Sequence, residues 1–138
     1  MIQSVFCKGK HIFIEFESGI FLHNHLLMRG IWRKLKGQLL FYPEATWLGL
    51  YVGPFTICNL HGQMLKIVDQ REVHAKFASL GPDAMSQPFP RDEIRRSLSA
   101  TTLSVSEALL DQKIVCGVGN IAKSEVLHIA GIDLLAAA

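Results

Sequence analysis

The hydrophobic period changes at one place in the sequence, and this change constrains the fold more than any other feature. Before residue 80, apolar residues recur in short runs, and residues 11–16 alternate with the period of two that is typical of β-strands. Leu80-Gly81-Pro82-Asp83 and Pro88-Phe89-Pro90 then interrupt the chain, and a proline there suits the first turn of a helix. We therefore predict a β-rich domain over residues 1–82 and a helical domain over residues 83–138.

The β-rich part is predicted to hold several short strands. The candidates are residues 11–16, 20–28, 39–42, 47–52, 56–60 and 63–68. The turn residues 17–19 predict a hairpin between the first two, and His61-Gly62 predicts that residues 63–68 return beside residues 56–60. Residues 1 to about 78 are expected to be mostly β.

Three helices are predicted in the second half. The first covers residues 91–98. The second begins after Ser104, since Ser104 and Glu107 have the spacing of a capping box, and it runs to about Asp111. The third begins with Asn120 as its N-cap and ends at Gly131, which suits a left-handed C-terminal cap.

Composition limits the classes of function. The 138 residues are 49% hydrophobic, which is enough for a core. The net charge of +2 does not indicate a polyanionic partner. Residues 1–36, however, carry six Lys or Arg against two Glu, so this part could face a polyanion, although a solvated basic face explains the same charges.

Neither metal nor membrane features are indicated. The three cysteines are far apart with no Cys-x-x-Cys pair, so neither a disulfide framework nor zinc is predicted. His23 and His25 lie on one strand face without a third ligand, which favours packed histidines over a metal site. Without a charged leader or a long apolar stretch, we expect a soluble intracellular protein with no membrane partner and no cofactor.

Residues 117–120, Gly-Val-Gly-Asn, precede the third predicted helix. Glycines there let the backbone approach an anion closely, and the free amides of a helix start attract negative charge. The motif therefore predicts a phosphate-binding site at residues 117–120 and the start of the next helix, which we call the phosphate seat. A Gly-x-Gly alone is a weak motif, and by itself it favours a tight structural turn.

Residues 109–132 as a whole resemble the helix-two-turn-helix of the formamidopyrimidine-DNA glycosylase and endonuclease VIII family. Their Leu-Leu-Asp-Gln, Gly-Val-Gly-Asn and closing Ala-Gly-Ile follow the family pattern. Three upstream segments match in the same order: Lys8-Gly9-Lys10-His11, residues 25–30 (His-Leu-Leu-Met-Arg-Gly) and Leu80-Gly81-Pro82-Asp83. The resemblance implies an α+β fold, with part of an antiparallel β-sandwich followed by the helical domain.

The resemblance also implies an activity. Family members flip a damaged base out of duplex DNA, cleave its glycosidic bond and nick the strand. The family nucleophile is an N-terminal proline amine followed by a glutamate, whereas this chain begins Met1-Ile2. The expectation is a chain truncated at both ends, before the family's C-terminal zinc or zincless finger, whose full-length form acts on duplex DNA with a damaged base or abasic site.

The resemblance implies DNA-binding roles for individual residues. Lys10 matches the hairpin lysine that holds a phosphate near the lesion, and it is the catalytic-site residue expected in this chain. Gly119 and Asn120 match the phosphate-binding turn, and Lys123 could add a contact from the first helical turn. Solvated lysines and plain helix capping remain the alternatives.

Two further residues are candidates for filling the space that a flipped base leaves. Met28 matches the family's void-filling methionine, with core packing as the alternative. Arg71 is a weaker candidate, because residues 69–74 share only Asp69 and Arg71 with the corresponding loop of formamidopyrimidine enzymes. That departure favours the endonuclease VIII branch. Glu125 matches a family glutamate, and we expect it to tie its helix to the turn.

Three functional hypotheses follow. The first is a DNA glycosylase and abasic-site lyase for oxidised bases, active in the full-length protein. The second is a catalytically silent DNA-binding fragment. The third is a protein-interaction domain in which residues 117–120 form only a turn, and salt-sensitive DNA binding separates it from the first two.

Overall fold

The computed structural model describes residues 1–37 and 44–138, which form seven strands and four helices. The strands are β1 (Ile2–Lys8), β2 (His11–Phe16), β3 (Phe21–His25), β4 (Ile31–Lys36), β5 (Thr46–Val52), β6 (Phe55–Leu60) and β7 (Met64–Val68). The helices are α1 (Gln70–Ala78), α2 (Arg91–Ser99), α3 (Val105–Leu110) and α4 (Asn120–Ala130). The α+β class is confirmed.

The first compact unit consists of Met1–Phe6 and His11–Gln70 and contains the strands. One sheet has the order β1-β2-β3-β7, and the other has the order β4-β6-β5. Residues of both sheets line an apolar cleft of about 330 Å³, so the sheets face each other as in a β-sandwich.

Alternation along β2 explains how this unit packs. Ile12 and Ile14 line the apolar cleft, while Phe13 is fully buried and stacks on Phe6 with ring centroids 5.5 Å apart. The two sheets are also joined by a polar contact, in which Trp32 Nε1 donates to Asn24 Oδ1 at 3.0 Å. Strand β2 is therefore covered on both of its faces.

The second compact unit consists of Cys7–Lys10 and Arg71–Ala138. Its hydrophobic core is formed by four buried residues from α2, α3 and the segment that follows α3. They are Ile94, Ala108, Ile114 and Val115. The short Cys7–Lys10 segment belongs to this unit by its contacts, although it joins β1 to β2.

Several predictions for the strands are confirmed and others are wrong. The predicted hairpin exists, since β2 pairs antiparallel with β3. Residues 63–68 do not return beside β6, because β7 pairs with β3 in the other sheet. The predicted strand over residues 20–28 ends at His25, where a turn begins. The strand predicted over residues 39–42 lies outside the described residues.

Sequence reasoning missed β1 and β4, and it also missed α1, which begins at Gln70 within the residues expected to be mostly β. The units divide between Gln70 and Arg71, earlier than residues 82 and 83. The domain boundary at residue 82 stays a prediction.

The predicted helices are present as α2, α3 and α4. The capping box is confirmed, with Ser104 as N-cap and reciprocal bonds to Glu107. Gly131 is the left-handed C-cap of α4 at φ 66°. The N-cap prediction is wrong: Gly119 occupies that position, and Asn120 is the first helical residue. Backbone at φ −128° and ψ 179° places Gly119 before the helix.

Candidate phosphate-binding site

The candidate site begins with the turn Lys8-Gly9-Lys10. Gly9 has φ 57°, a left-handed conformation that favours glycine. A Cβ on Gly9 would lie 3.1 Å from the backbone nitrogen of Gly117 and 3.2 Å from Cβ of Cys116. Two backbones therefore pass each other closely at this point, and glycine permits the approach.

The turn brings Lys10 to the segment that precedes α4. The ammonium nitrogen of Lys10 lies 2.8 Å from the position that a Cβ on Gly119 would occupy. The Lys10 side chain is exposed, and within residues 1–37 and 44–138 it makes no hydrogen bond or ion pair. A positive charge is thus held beside the N-cap of α4 and remains open to a ligand.

The N-terminus of α4 supplies the other half of the site. The N-cap Gly119 has no side chain to cap the first turn, and no other side chain in residues 1–37 and 44–138 bonds to its amides. The first amides of a helix also have no partner within the helix. These amides and the helix dipole favour an anion. Asn120 is exposed at this end and Lys123 is partly exposed one turn later. The structure thus brings together Lys10, Gly119 and Asn120.

The loop between α3 and α4 is fixed by Gln112. Its side-chain amide donates to the carbonyls of Leu110 at 3.0 Å and Val118 at 3.1 Å. Its carbonyl oxygen accepts the N–H of Gly117 at 3.1 Å. Gln112 therefore holds both ends of the loop in one conformation, and the N-cap of α4 follows directly.

Two residues that sequence reasoning used only for alignment also hold the Lys10 turn. Lys8 donates to the carbonyl of Phe77 in the last turn of α1 at 3.1 Å, and to the carbonyl of Leu80 just after that helix at 3.2 Å. Asp83 accepts the N–H of Gly9 at 2.5 Å. The sequence signal was present in the Leu-Gly-Pro-Asp motif, but an acid after a proline also fits an ordinary loop.

The buried thiol beside this site is not activated. Burial, and next the Asp83 carboxylate, raise the pKa of Cys116 above its usual value. The thiol therefore stays protonated near neutral pH, and a thiolate nucleophile is not available there.

The histidines of the sheet are packed, as expected. His23 is buried, stacks on Phe13 with centroids 4.3 Å apart, and lies with Nε2 2.9 Å from Nδ1 of His11. Across residues 1–37 and 44–138, no group of three His, Cys, Asp or Glu side chains is arranged to hold a metal ion. Within the same residues, no helix has the length and apolarity needed to cross a membrane.

Met28 lies in the sandwich unit and does not pack in a core. Its side chain is 92% exposed, so the core-packing alternative is wrong. The turn that carries it is tight: Leu27 has φ 52°, and Gly30 donates to the Leu26 carbonyl at 3.0 Å. An exposed apolar side chain is thus presented at the tip of a constrained turn.

Arg71 and Glu125 complete the set of candidates. Arg71 is exposed in the first turn of α1, so the corresponding segment is helical here. Glu125 is exposed on α4 and makes no hydrogen bond or ion pair within the part of the chain described. The expectation that Glu125 ties the helix to the turn is therefore wrong.

Comparison with known proteins agrees with this architecture. The family model described as "Formamidopyrimidine-DNA glycosylase H2TH domain" matches residues 80–138. A formamidopyrimidine-DNA glycosylase from Azorhizobium caulinodans is 40% identical over 149 residues of alignment, covering 96% of this chain and 51% of that protein. A probable endonuclease 8 from Streptomyces coelicolor is 29% identical, covering 91% of this chain and 47% of that protein.

Solved structures show the same fold. The formamidopyrimidine-DNA glycosylase of Lactococcus lactis, bound non-covalently to DNA containing an abasic site, superimposes with a TM-score of 0.82. It is 24% identical, and the match covers 99% of this chain and 53% of that one. The likeness at this identity concerns the fold.

The fold and the site define a β-sandwich protein with a helix-two-turn-helix domain. Residues 80–138 match the helix-two-turn-helix domain of the formamidopyrimidine-DNA glycosylase family, and relatives named formamidopyrimidine-DNA glycosylase and endonuclease 8 align with 91–96% of the chain. The chain spans about half the length of the curated relatives that it matches.

Proposed function

We propose that the full-length protein acts in base-excision repair, as an N-glycosylase and abasic-site lyase on oxidised bases in duplex DNA. Similarity to the formamidopyrimidine-DNA glycosylase and endonuclease VIII family supports the reaction class. The relatives are named for this chemistry, including a DNA-(apurinic or apyrimidinic site) lyase from Mycolicibacterium smegmatis that is 28% identical. In this proposal the chain contributes contacts to the phosphates of the DNA backbone.

The observation that carries the proposal is the position of the Lys10 ammonium over Gly119. An ammonium and the uncapped amides of α4 converge on the same point, and both favour the oxygens of a phosphate. Lysine suits this task because its charge sits on a flexible stem that can follow a moving backbone. A structural turn alone requires neither the cation nor an uncapped helix.

Met28 is proposed to fill the space that the flipped base leaves. Flipping costs stacking energy, and an apolar side chain inserted into the duplex compensates for part of that loss. Arg71 is proposed to face the orphaned strand, with less support because it lies on a helix. The exposure of both side chains supports these roles.

The test is a titration of duplex DNA at several salt concentrations. Each phosphate contact by a cation contributes about one unit to the slope of log affinity against log salt. We expect Lys10→Ala to reduce that slope by about one unit. Asn120→Ala should weaken binding by about 1 kcal/mol with little change in slope, because it removes a neutral hydrogen bond.

Thermal melts of each variant serve as the control. Asn120 makes no capping bond, so Asn120→Ala should melt close to the wild type, and any lost affinity is then not unfolding. A folded wild-type chain without salt-dependent DNA binding would leave the tight-turn interpretation in place.

A further inference from the structure

Both oxygens of the Asp83 carboxylate accept backbone N–H groups. Oδ2 accepts from Gly9 at 2.5 Å, and Oδ1 accepts from Met85 at 2.8 Å. The second bond fixes the carboxylate within its own loop, and the first reaches the turn that carries Lys10. The carboxylate therefore connects two segments that are distant in sequence.

The Asp83 segment is itself attached to the loop before α4. Cys116 donates its N–H to the Pro82 carbonyl at 2.9 Å, and Ala84 donates to the Cys116 carbonyl at 3.0 Å. The position of a Cβ on Gly117 would be 3.5 Å from both Asp83 Oδ1 and Gly9 Cα. Asp83 thus lies where the Lys10 turn and the α4 loop approach each other.

We propose that Asp83 is a positioning residue for phosphate binding, which holds the Lys10 ammonium over Gly119 through its bond to Gly9. This inference rests on the proposed function of the site. Without the bond, the left-handed turn at Gly9 loses its fixed partner, and the flexible Lys10 side chain samples positions away from the α4 amides. A preorganised cation contributes more to binding than a mobile one.

The charge of Asp83 makes the inference testable by sign. A carboxylate near a DNA-binding surface repels phosphate, so removing its charge should raise affinity if Asp83 has no other role. A positioning role predicts the opposite change. The direction of the effect therefore separates the two interpretations.

The experiment uses the whole chain with an abasic-site duplex, and compares Asp83→Asn with Asp133→Asn. Asp133 is a matched control, because its Oδ1 accepts the N–H of Leu135 at 2.8 Å in a similar local turn. We expect Asp83→Asn to weaken binding about fivefold, the loss typical of one hydrogen bond. We expect Asp133→Asn to leave affinity unchanged or slightly raised.

A double-mutant cycle with Lys10→Ala identifies the route of the effect. If Asp83 acts through Lys10, Asp83→Asn should have little further effect in the Lys10→Ala background. It should also lower the salt slope toward the Lys10→Ala value. A purely structural role would leave the two effects additive.

The outcomes also separate this inference from the proposed function. If Lys10→Ala leaves binding unchanged, the phosphate-seat proposal fails. If Lys10→Ala weakens binding but Asp83→Asn behaves like Asp133→Asn, the positioning role of Asp83 is overturned. The proposal that Lys10 and the start of α4 bind a phosphate is then retained. Melts accompany each titration, and Asp83→Ser, which keeps an acceptor oxygen, replaces Asp83→Asn if that variant unfolds at the titration temperature.

Discussion

The two compact units hold their candidate DNA contacts in different ways. In the helical unit, side chains from three separate segments fix the Lys10 turn and the α4 loop by hydrogen bonds, namely Lys8, Asp83 and Gln112. In the sandwich unit, Met28 lies on a turn shaped by close backbone packing at Gly30, whose Cβ would lie 2.9 Å from Cα of Leu26. Hydrogen bonds thus hold the Lys10 turn and the α4 loop, whereas close backbone packing holds the Met28 turn.

The difference matches what each proposed contact would have to do. A phosphate contact requires donors at fixed positions, because hydrogen bonds weaken steeply when they are misaligned. An apolar side chain that inserts into the duplex, as proposed for Met28, requires exposure and a stiff support. Its contacts are less directional than hydrogen bonds. The helical unit should therefore be sensitive to small changes in its loops, and the Met28 turn should tolerate side-chain changes.

The largest expected effect is that of Gly81→Ala on the helical unit. The new Cβ would collide with the Lys113 carbonyl oxygen and lie 2.7 Å from its carbonyl carbon. Because the Lys113 backbone cannot move aside as a flexible side chain can, the collision must be relieved by a shift of the loop. We expect the free energy of unfolding of Gly81→Ala to fall by about 2 kcal/mol. Chemical denaturation measures it.

Gly49→Ala in the sandwich is the matched control, because the new Cβ would meet only a Thr56 methyl at 3.8 Å. Its cost should be within about 0.5 kcal/mol. Equal costs for the two variants would contradict the view that the helical unit depends on close loop packing.

Gly119→Ala should lower affinity more than stability. Its Cβ would lie 2.8 Å from Lys10 Nζ, and the flexible lysine can move away at little cost to folding. We expect about tenfold weaker DNA binding, equivalent to about 1.4 kcal/mol. Titration with duplex DNA, paired with a melt, measures both quantities.

Gly119→Ser sharpens that result. Serine is a good N-cap and alanine a poor one, so the two variants should differ in stability by roughly 0.5–2 kcal/mol. Both add a Cβ against Lys10, so both should lose affinity. Normal affinity in the serine variant would show that helix capping, not the position of Lys10, determines binding.

Met28→Ala should change recognition of the abasic site without changing stability. The side chain is 92% exposed, so the free energy of unfolding should shift by less than about 0.5 kcal/mol. The preference for abasic over undamaged duplex should fall by on the order of 1 kcal/mol, as a partly buried apolar contact is lost.

Met85→Ala is the control for Met28, since the Met85 side chain is 84% exposed in the helical unit and the variant keeps the backbone N–H that donates to Asp83. Measuring the ratio of the two affinities for each variant isolates lesion recognition from general binding. An unchanged ratio in Met28→Ala would remove the void-filling role.

The sequence predicted the helical half better than the sheets, for physical reasons. Helix ends depend on local chemistry, so the capping pair Ser104 and Glu107 and the glycine at Gly131 were readable from spacing alone. Strand partners depend on distant segments, which is why β7 was assigned to the wrong neighbour. Helix α1 is the exception: Asp69 and Glu72 have the spacing of a capping box at its start, yet it was not predicted as a helix.

The candidate site was predictable in its residues but not in its supports. Motif matching identified Lys10 and residues 119–120, and the structure places them together. The bonds of Asp83 to Gly9 and of Lys8 to Phe77 join segments about seventy positions apart. Local sequence reasoning cannot detect such pairs, because either residue alone fits an ordinary surface loop.

The smallest expected effect concerns acid, and it tests whether polar ties dominate the helical unit. Hydrogen bonds from the Ser104 hydroxyl and then from its backbone N–H, at 2.6 and 3.0 Å, hold the pKa of Glu107 below its ordinary value of 4.5. The folded chain thus binds this proton less tightly than the unfolded chain. The stabilisation from the capping box is therefore fully present above pH 4.5 and is lost as the pH falls through the lowered pKa.

We expect the free energy of unfolding of the wild type to exceed that of Glu107→Gln near neutral pH, and the two to converge below pH 4.5. Chemical denaturation at a series of pH values measures the difference. Glu125→Gln is the matched control, because Glu125 is exposed and has no partner within the described residues, and its difference from the wild type should vary less with pH. If both variants follow the wild type in parallel, the Glu107 carboxylate contributes nothing as an ion, and the capping box acts only through the Ser104 hydroxyl.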